Sequence, residues 1–259
     1  MKEGRTIPEP ARLWAGSNEP LFAALPGTIL ANLYNPRSEN ALLWNLIYPR
    51  AQPSLSLRSL LTLKTMWGTP NPGNLKDDEM IPYYWGYAQD GSRLAELDDV
   101  LDEVDGSGPK TEIDLFLLGQ QLLIAIEVKH NSVFGRCSRY TAHRCPEIHA
   151  SEAEASICRY WEPGPGQFVR ALAFGTRPQN GDVDVICNAH YQLARTFVVG
   201  QTLAWKLRRD FALWIFLPQK RWRAIEKSWL DFADRVVDDR MWRWMRAISW
   251  EQIQTLPPR

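Results

Sequence analysis

The sequence predicts an α/β fold, and three observations carry that prediction: two apolar runs joined by a short polar turn at 111–128, a helical run followed by an apolar run at 189–217, and a capped helical stretch at 38–47. Runs of Ile, Leu, Val and Phe this short are strand-length, whereas the 189–209 stretch keeps a helical period. In chain order, SENALLWNLI (38–47) reads as a short amphipathic helix, capped by Ser38, with Glu39 in its first turn, and stopped by Pro49. The acidic stretch 77–105 follows and reads as a first strand plus a loop.

The next segment is TEIDLFLLGQQLLIAIEVKHNS (111–132), a strand, a turn at Gly119-Gln120-Gln121 and a second strand. Alternate residues of a strand share a face, so Glu127 and Lys129 point one way and Val128 the other. Asp114 joins Glu127 on that face if the turn length is even. With Gln120-Gln121 at the centre it lies directly opposite Glu127; with Gly119-Gln120 it lies opposite Ala125 and diagonal to Glu127. Elsewhere both strands are apolar on both faces, as in a covered central sheet, where carboxylates are costly unless paired or bound to metal. Two carboxylates and a backbone carbonyl, that of Val128, make the hard oxygen set that Mg²⁺ or Mn²⁺ prefers, and a nearby ammonium, Lys129, can hold a water or offset charge on a phosphate.

All four cysteines (Cys137, Cys145, Cys158, Cys187) and all four histidines lie between His130 and His190, in a segment that also contains Pro and Gly. The cysteine spacings are x7, x12 and x28, with no C-x2-C knuckle. A structural zinc or an iron–sulfur centre is one reading; reduced, unpaired thiols are the other and the one the spacing favours. The loops at 106–109 and 163–166 match no phosphate-binding Walker pattern.

Asn188 can cap a helix over 189–209 with Leu193, Phe197, Leu203, Ala204 and Leu207 on one side, followed by FALWIFL (211–217), a buried strand. Beyond it, Trp222, Ile225, Trp229, Phe232, Val236 and Val237 recur at helical spacing and predict a long C-terminal helix. Net charge is formally zero but segregated: 77–105 holds ten acids against one base, Arg93, and 206–246 holds eleven bases against six acids. The C-terminal stretch interleaves arginines with Trp222, Trp229, Trp242, Trp244 and Trp250. Most of these rings belong to the core face of the helix, and contact with nucleic acid is the second reading.

Asp114 followed by Glu127-Val128-Lys129, with twelve residues between the two acids, resembles the PD-(D/E)xK superfamily of restriction-endonuclease-like nucleases. Here the first motif element is Ile113-Asp114, without the proline that is often absent in the family. The resemblance implies a core of helix, three-strand meander, helix and strand, with the insertion (about 130–187) after the third strand and the long C-terminal helix added, all in one nuclease-like domain over 1–259. It implies a metal site at Asp114, Glu127 and the Val128 carbonyl, with Glu39 on the first helix as a further ligand. Lys129 would assist the water, and Gln192, beside Tyr191, matches the Gln and Tyr that several members place at the site. Asp98, Asp99 and Glu112 are further candidate acids.

The function expected is a Mg²⁺- or Mn²⁺-dependent nuclease, with DNA the favoured partner and a prokaryotic defence or DNA-processing role implied by the family. The alternative is a catalytically inactive nucleic-acid-binding protein of the same fold. Many family members dimerise to cut both strands, so a homodimer is among the expectations, although no segment identifies its interface. MKEGRTIPEP carries no apolar signal segment and no run approaches the roughly 20 apolar residues of a membrane span, so a cytoplasmic protein without membrane contact is expected.

Overall fold

A chain with this many strand-length apolar runs must cover both faces of its sheet, and it does so with helices on either side. The computed structural model describes residues 19–258 apart from 36, 69–75, 77, 150–156 and 163–166. The MKEGRTIPEP segment, Asp77 and the loop at 163–166 therefore lie outside the described residues. Those described form a mixed α/β structure with a seven-stranded sheet. Its strands are β1 (Leu55–Ser56), β2 (Thr65–Trp67), β3 (Glu79–Tyr84), β4 (Leu115–Leu118), β5 (Leu122–Val128), β6 (Asp210–Leu217) and β7 (Arg246–Ser249). Among the described residues four helices reach nine residues or more: α1 (Glu39–Ile47), α2 (Leu97–Asp105), α3 (Tyr191–Leu207) and α4 (Trp222–Ala233). No helix among the described residues is long and apolar enough to cross a membrane.

The strand order is β1-β3-β4-β5-β6-β7-β2. β3, β4 and β5 form an antiparallel meander; α3 then crosses back so that β6 lies parallel to β5, and β7 lies parallel to β6. β2 closes the far edge antiparallel to β7. Alternation decides which layer each residue joins. Leu122, Ile124, Ile126 and Val128 of β5 pack with Leu43 and Trp44 of α1, while Leu123 and Ala125 pack with Leu193, Phe197 and Leu203 of α3. Burying each such Leu or Ile contributes roughly 1.5–3 kcal/mol, which holds the central strands in place.

Helix α1 starts where its cap dictates: the Ser38 side chain accepts from Ala41 N at 3.0 Å. It is buried on most of its circumference, Asn40 included, because other N-terminal helices cover its outer side. In the β4–β5 hairpin, Leu118 pairs with Leu123 and the Gly119 N–H donates to Leu122 O, leaving Gln120-Gln121 as the turn. The register with Asp114 opposite Glu127 is thus the one adopted, continuing the ladder one residue past the Leu115–Ile126 pair.

Three expectations are corrected. The sequence DDVLDEVD is not a loop but most of α2, because Leu97, Val100, Leu101 and Val104 form one apolar face against the core. Asn188 does not cap α3, which begins at Tyr191; its side-chain oxygen accepts from Cys137 N instead. The long C-terminal helix stops at Ala233. There Val236 bridges to Leu172 and the Ala173 N–H bonds to Arg235 O, so the β-branched Val236-Val237 pair runs extended. Asp238 then caps a separate short helix, Asp239–Trp244, before β7. Arg246 of β7 is fully buried, its guanidinium 5.0 Å from the Trp214 ring and 5.6 Å from that of Trp244, so this arginine is core and not a nucleic-acid contact.

Candidate active site

Small residues bring α3 close to β5, and that approach builds the site. A side chain on Gly200 would run into the Phe211 ring and come within 3.3 Å of Ala125 Cβ. One turn earlier on the same helix face is Thr196, and one more turn earlier Gln192, so both reach the end of β5. Thr196 Oγ1 donates to Glu127 Oε1 at 2.5 Å and Gln192 Nε2 donates to Glu127 Oε2 at 2.7 Å. The Gln192 amide is itself held, its Oε1 accepting from Gly135 N at 2.8 Å. Glu127 is only 1% exposed, so both oxygens of a buried carboxylate are satisfied by helix α3.

Asp114 arrives from the neighbouring strand, and its Oδ2 accepts from the Val128 N–H at 2.7 Å. Lys129, 4% exposed, follows Glu127 on the same face, with its Nζ 3.9 Å from Glu127 Oε2 and 3.7 Å from Glu39 Oε2. Glu39 comes from the first turn of α1, in the opposite layer, and its Oε1 accepts from His130 N at 2.7 Å and Ser132 Oγ at 2.6 Å. The structure thus brings together all six residues singled out in the sequence: Glu39, Asp114, Glu127, Val128, Lys129 and Gln192. Asp98 is not among them, since it pairs with Arg93 at 2.7 Å on the surface, and Asp99 and Glu112 are solvent-exposed.

The electrostatics are lopsided. Burial, reinforced by the Glu127 charge, holds the Asp114 carboxyl well above the usual carboxylate range, despite Lys129 and the Val128 N–H pulling the other way. Burial also raises Glu127, although Lys129, Thr196 and Gln192 oppose the rise. For Lys129 burial disfavours the charged form, but Glu127, Asp114 and Glu39 outweigh it, and the net direction is upward. His130 is pushed down by burial, with Lys220 and Arg221 adding to the shift and Glu39 opposing it, and its ring stacks on Trp250 at 5.1 Å. Three acids therefore share one ammonium. Among the described residues no three His, Cys, Asp or Glu side chains are gathered tightly enough to cage an ion by themselves.

No family model, curated protein or solved structure matches the chain. Residue chemistry alone therefore carries the functional reading.

Two groups escaped the sequence reading. Thr196 could have been found from Gln192, since it lies one turn on and shares its face. The second is a buried cluster around Asp105, which accepts from Thr111 N (2.5 Å), Thr111 Oγ1 (3.0 Å) and Tyr160 OH (2.6 Å), with Arg195 Nη2 at 3.4 Å. Nothing in the order of Asp105, Tyr160 and Arg195 along the chain signals their meeting.

Proposed function

We propose that the protein is a divalent-cation-dependent nuclease, with DNA the favoured substrate, built on a restriction-endonuclease-like core. The observation that carries this reading is the surplus of carboxylate at the end of β5: the buried Glu127 and the part-buried Asp114 and Glu39 are set against Lys129 as the one ammonium among them. A site arranged only for stability would be expected to balance its buried charges, whereas this one is short of positive charge until a cation enters. The order helix α1, meander β3-β4-β5, crossover helix α3 and parallel strand β6 supports the core assignment.

The donor set is all hard oxygen, which fits Mg²⁺ or Mn²⁺: Asp114, Glu127 and the Val128 carbonyl would hold the ion, with Glu39 assisting. When bound, such an ion lowers the pKa of a water and neutralises charge on a phosphate. Thr196 and Gln192 fix the Glu127 carboxylate in one orientation, so that it need not reorganise when substrate arrives. Lys129, whose ammonium form the three acids favour in the metal-free site, is placed to donate hydrogen bonds to the attacking water or to a phosphate oxygen. Glu39 restrains the Lys129 ammonium from the opposite layer. Lys220 and Arg221, close enough to act on His130, add positive charge at the rim where a phosphate backbone would lie.

The test is cleavage of supercoiled plasmid, single-stranded DNA and RNA with Mg²⁺ or Mn²⁺ against EDTA. Lys129→Ala and Glu127→Ala variants, shown to be folded by circular dichroism, run alongside. Metal-dependent cutting lost in both variants supports the reading. Cutting by neither metal on any substrate, with metal-independent binding retained, would favour a binding protein without turnover, and equal cutting by the variants would overturn the site.

A further inference from the structure

The four cysteines are the cluster the proposed reaction leaves unused, and the fold gathers them from four separate places. Cys137 precedes the short helix Ser138–Thr141, Cys158 precedes the turn Arg159–Trp161, Cys187 lies in the short helix Ile186–Ala189, and Cys145 sits in the chain between the first two. Hydrogen bonds and packing tie them pairwise. The Cys137 N–H donates to Asn188 Oδ1 at 3.1 Å, beside Cys187. Cys145 and Cys187 share a small apolar cluster with Ile148 and Val185. The Cys158 N–H donates to Glu147 Oε1 at 2.6 Å, two residues from Cys145. All four thiols are free.

A divalent cation placed among thiols takes them as thiolates, displacing their protons.

We propose that Cys137, Cys145, Cys158 and Cys187 form a four-thiolate structural metal site, with zinc as the ion, tying together the two ends of the segment between β5 and α3. Zinc suits it because a closed, four-sulfur tetrahedral set has no open position for chemistry and needs no redox partner. Among the described residues the four thiols are not gathered tightly enough to cage an ion, so metal binding must draw them together. The site reaches the candidate active site directly. Gly135, two residues before Cys137, donates to the Gln192 side chain and accepts from the Gln192 N–H at 3.2 Å, so loss of the metal loosens the amide that holds Glu127.

The experiment is elemental analysis for zinc and iron on full-length protein purified without chelator, together with Co²⁺ titration of metal-depleted, reduced protein. Zinc at about one equivalent per chain, at least tenfold lower in Cys158→Ser and Cys187→Ser, is expected. Co²⁺ should give sulfur-to-metal charge-transfer bands and the strong visible absorption of tetrahedral cobalt. The Co²⁺ spectrum is read on the unsubstituted chain, so it decides the question even if a serine variant misfolds. Iron with visible absorbance in place of zinc would overturn the zinc assignment. Protein without either metal, giving no tetrahedral Co²⁺ spectrum, would overturn the site. Neither readout requires nuclease activity, so failure here is distinct from failure of the proposed reaction.

Discussion

Helix α3 serves two buried carboxylates, and they are treated in opposite ways. At Asp105, Arg195 supplies a cation at 3.4 Å, Thr111 gives two hydrogen bonds and Tyr160 a third. Arg195 is in turn fixed by Thr111 Oγ1 at 2.9 Å and Pro109 O at 2.8 Å. At Glu127, held by Gln192 and Thr196 on either side of Arg195 along the helix, the donors are neutral and the single ammonium is shared with Asp114 and Glu39. The first arrangement is closed: each charge has its partner, and the cluster staples α2, α3 and the Tyr160 turn together. The second is open, with acid left over. On the proposed reading, what sets Glu127 apart from Asp105 is not burial but the count of charges around it.

The largest expected effect separates the two clusters by what they control. Glu127→Gln and Lys129→Ala should each lower metal-dependent cleavage by about 10²- to 10⁴-fold, the range for losing a positioned acid–base or electrostatic group, with Glu127→Gln leaving the melting temperature near that of the parent chain. Arg195→Met should do the reverse. By leaving Asp105 buried without its cation it should cost about 3–5 kcal/mol in denaturant unfolding. The residual cleavage per folded molecule should stay within a few-fold of the parent. If Arg195→Met abolished cleavage without destabilising the fold, the division between the clusters would fail.

A smaller effect should come from Thr196→Val, which removes one hydrogen bond from Glu127 at nearly constant volume. Leaving that oxygen unsatisfied costs about 1–3 kcal/mol. It should also push the Glu127 carboxyl further up, since the Thr196 bond holds it down, so the rising limb of the pH–rate profile should move to higher pH.

The smallest effect is on stability against pH. Asp114 and Glu127 are both raised in the folded protein, so their contribution is present below the unfolded carboxylate range and is lost as pH climbs through the folded values. Chelated protein should therefore lose melting temperature on going from mildly acidic to alkaline buffer, and Mg²⁺ should restore more of it the higher the pH. A Mg²⁺ effect that shrank with rising pH would contradict the carboxylate surplus.

Much of this was legible because local rules decided it. The Ser38 cap, a turn of even length and the two-residue period of β5 were enough to put Glu39 at a helix start and Asp114, Glu127 and Lys129 on one face, while the choice of Gln120-Gln121 over Gly119-Gln120 was left to the structure. Meetings between distant segments left no such mark, as with Asp105, Tyr160 and Arg195, or Glu39 with the His130 N–H. The C-terminal misreading has a definite cause. Trp222 to Val237 keeps a helical period, but Val236 and Val237 are drawn into extended pairing with the 171–173 segment. The four residues of β7 are too few, and too disguised by Arg246, to read as a strand.

The most direct test of the central claim is isothermal titration of Mn²⁺ into the unsubstituted protein and into Asp114→Asn at pH 7.5. The carboxylate surplus predicts saturable binding to the parent chain, weakened at least tenfold in Asp114→Asn, together with a higher melting temperature for the metal-free variant because one buried acid is gone. Equal binding by both chains, or no binding by either, would contradict it.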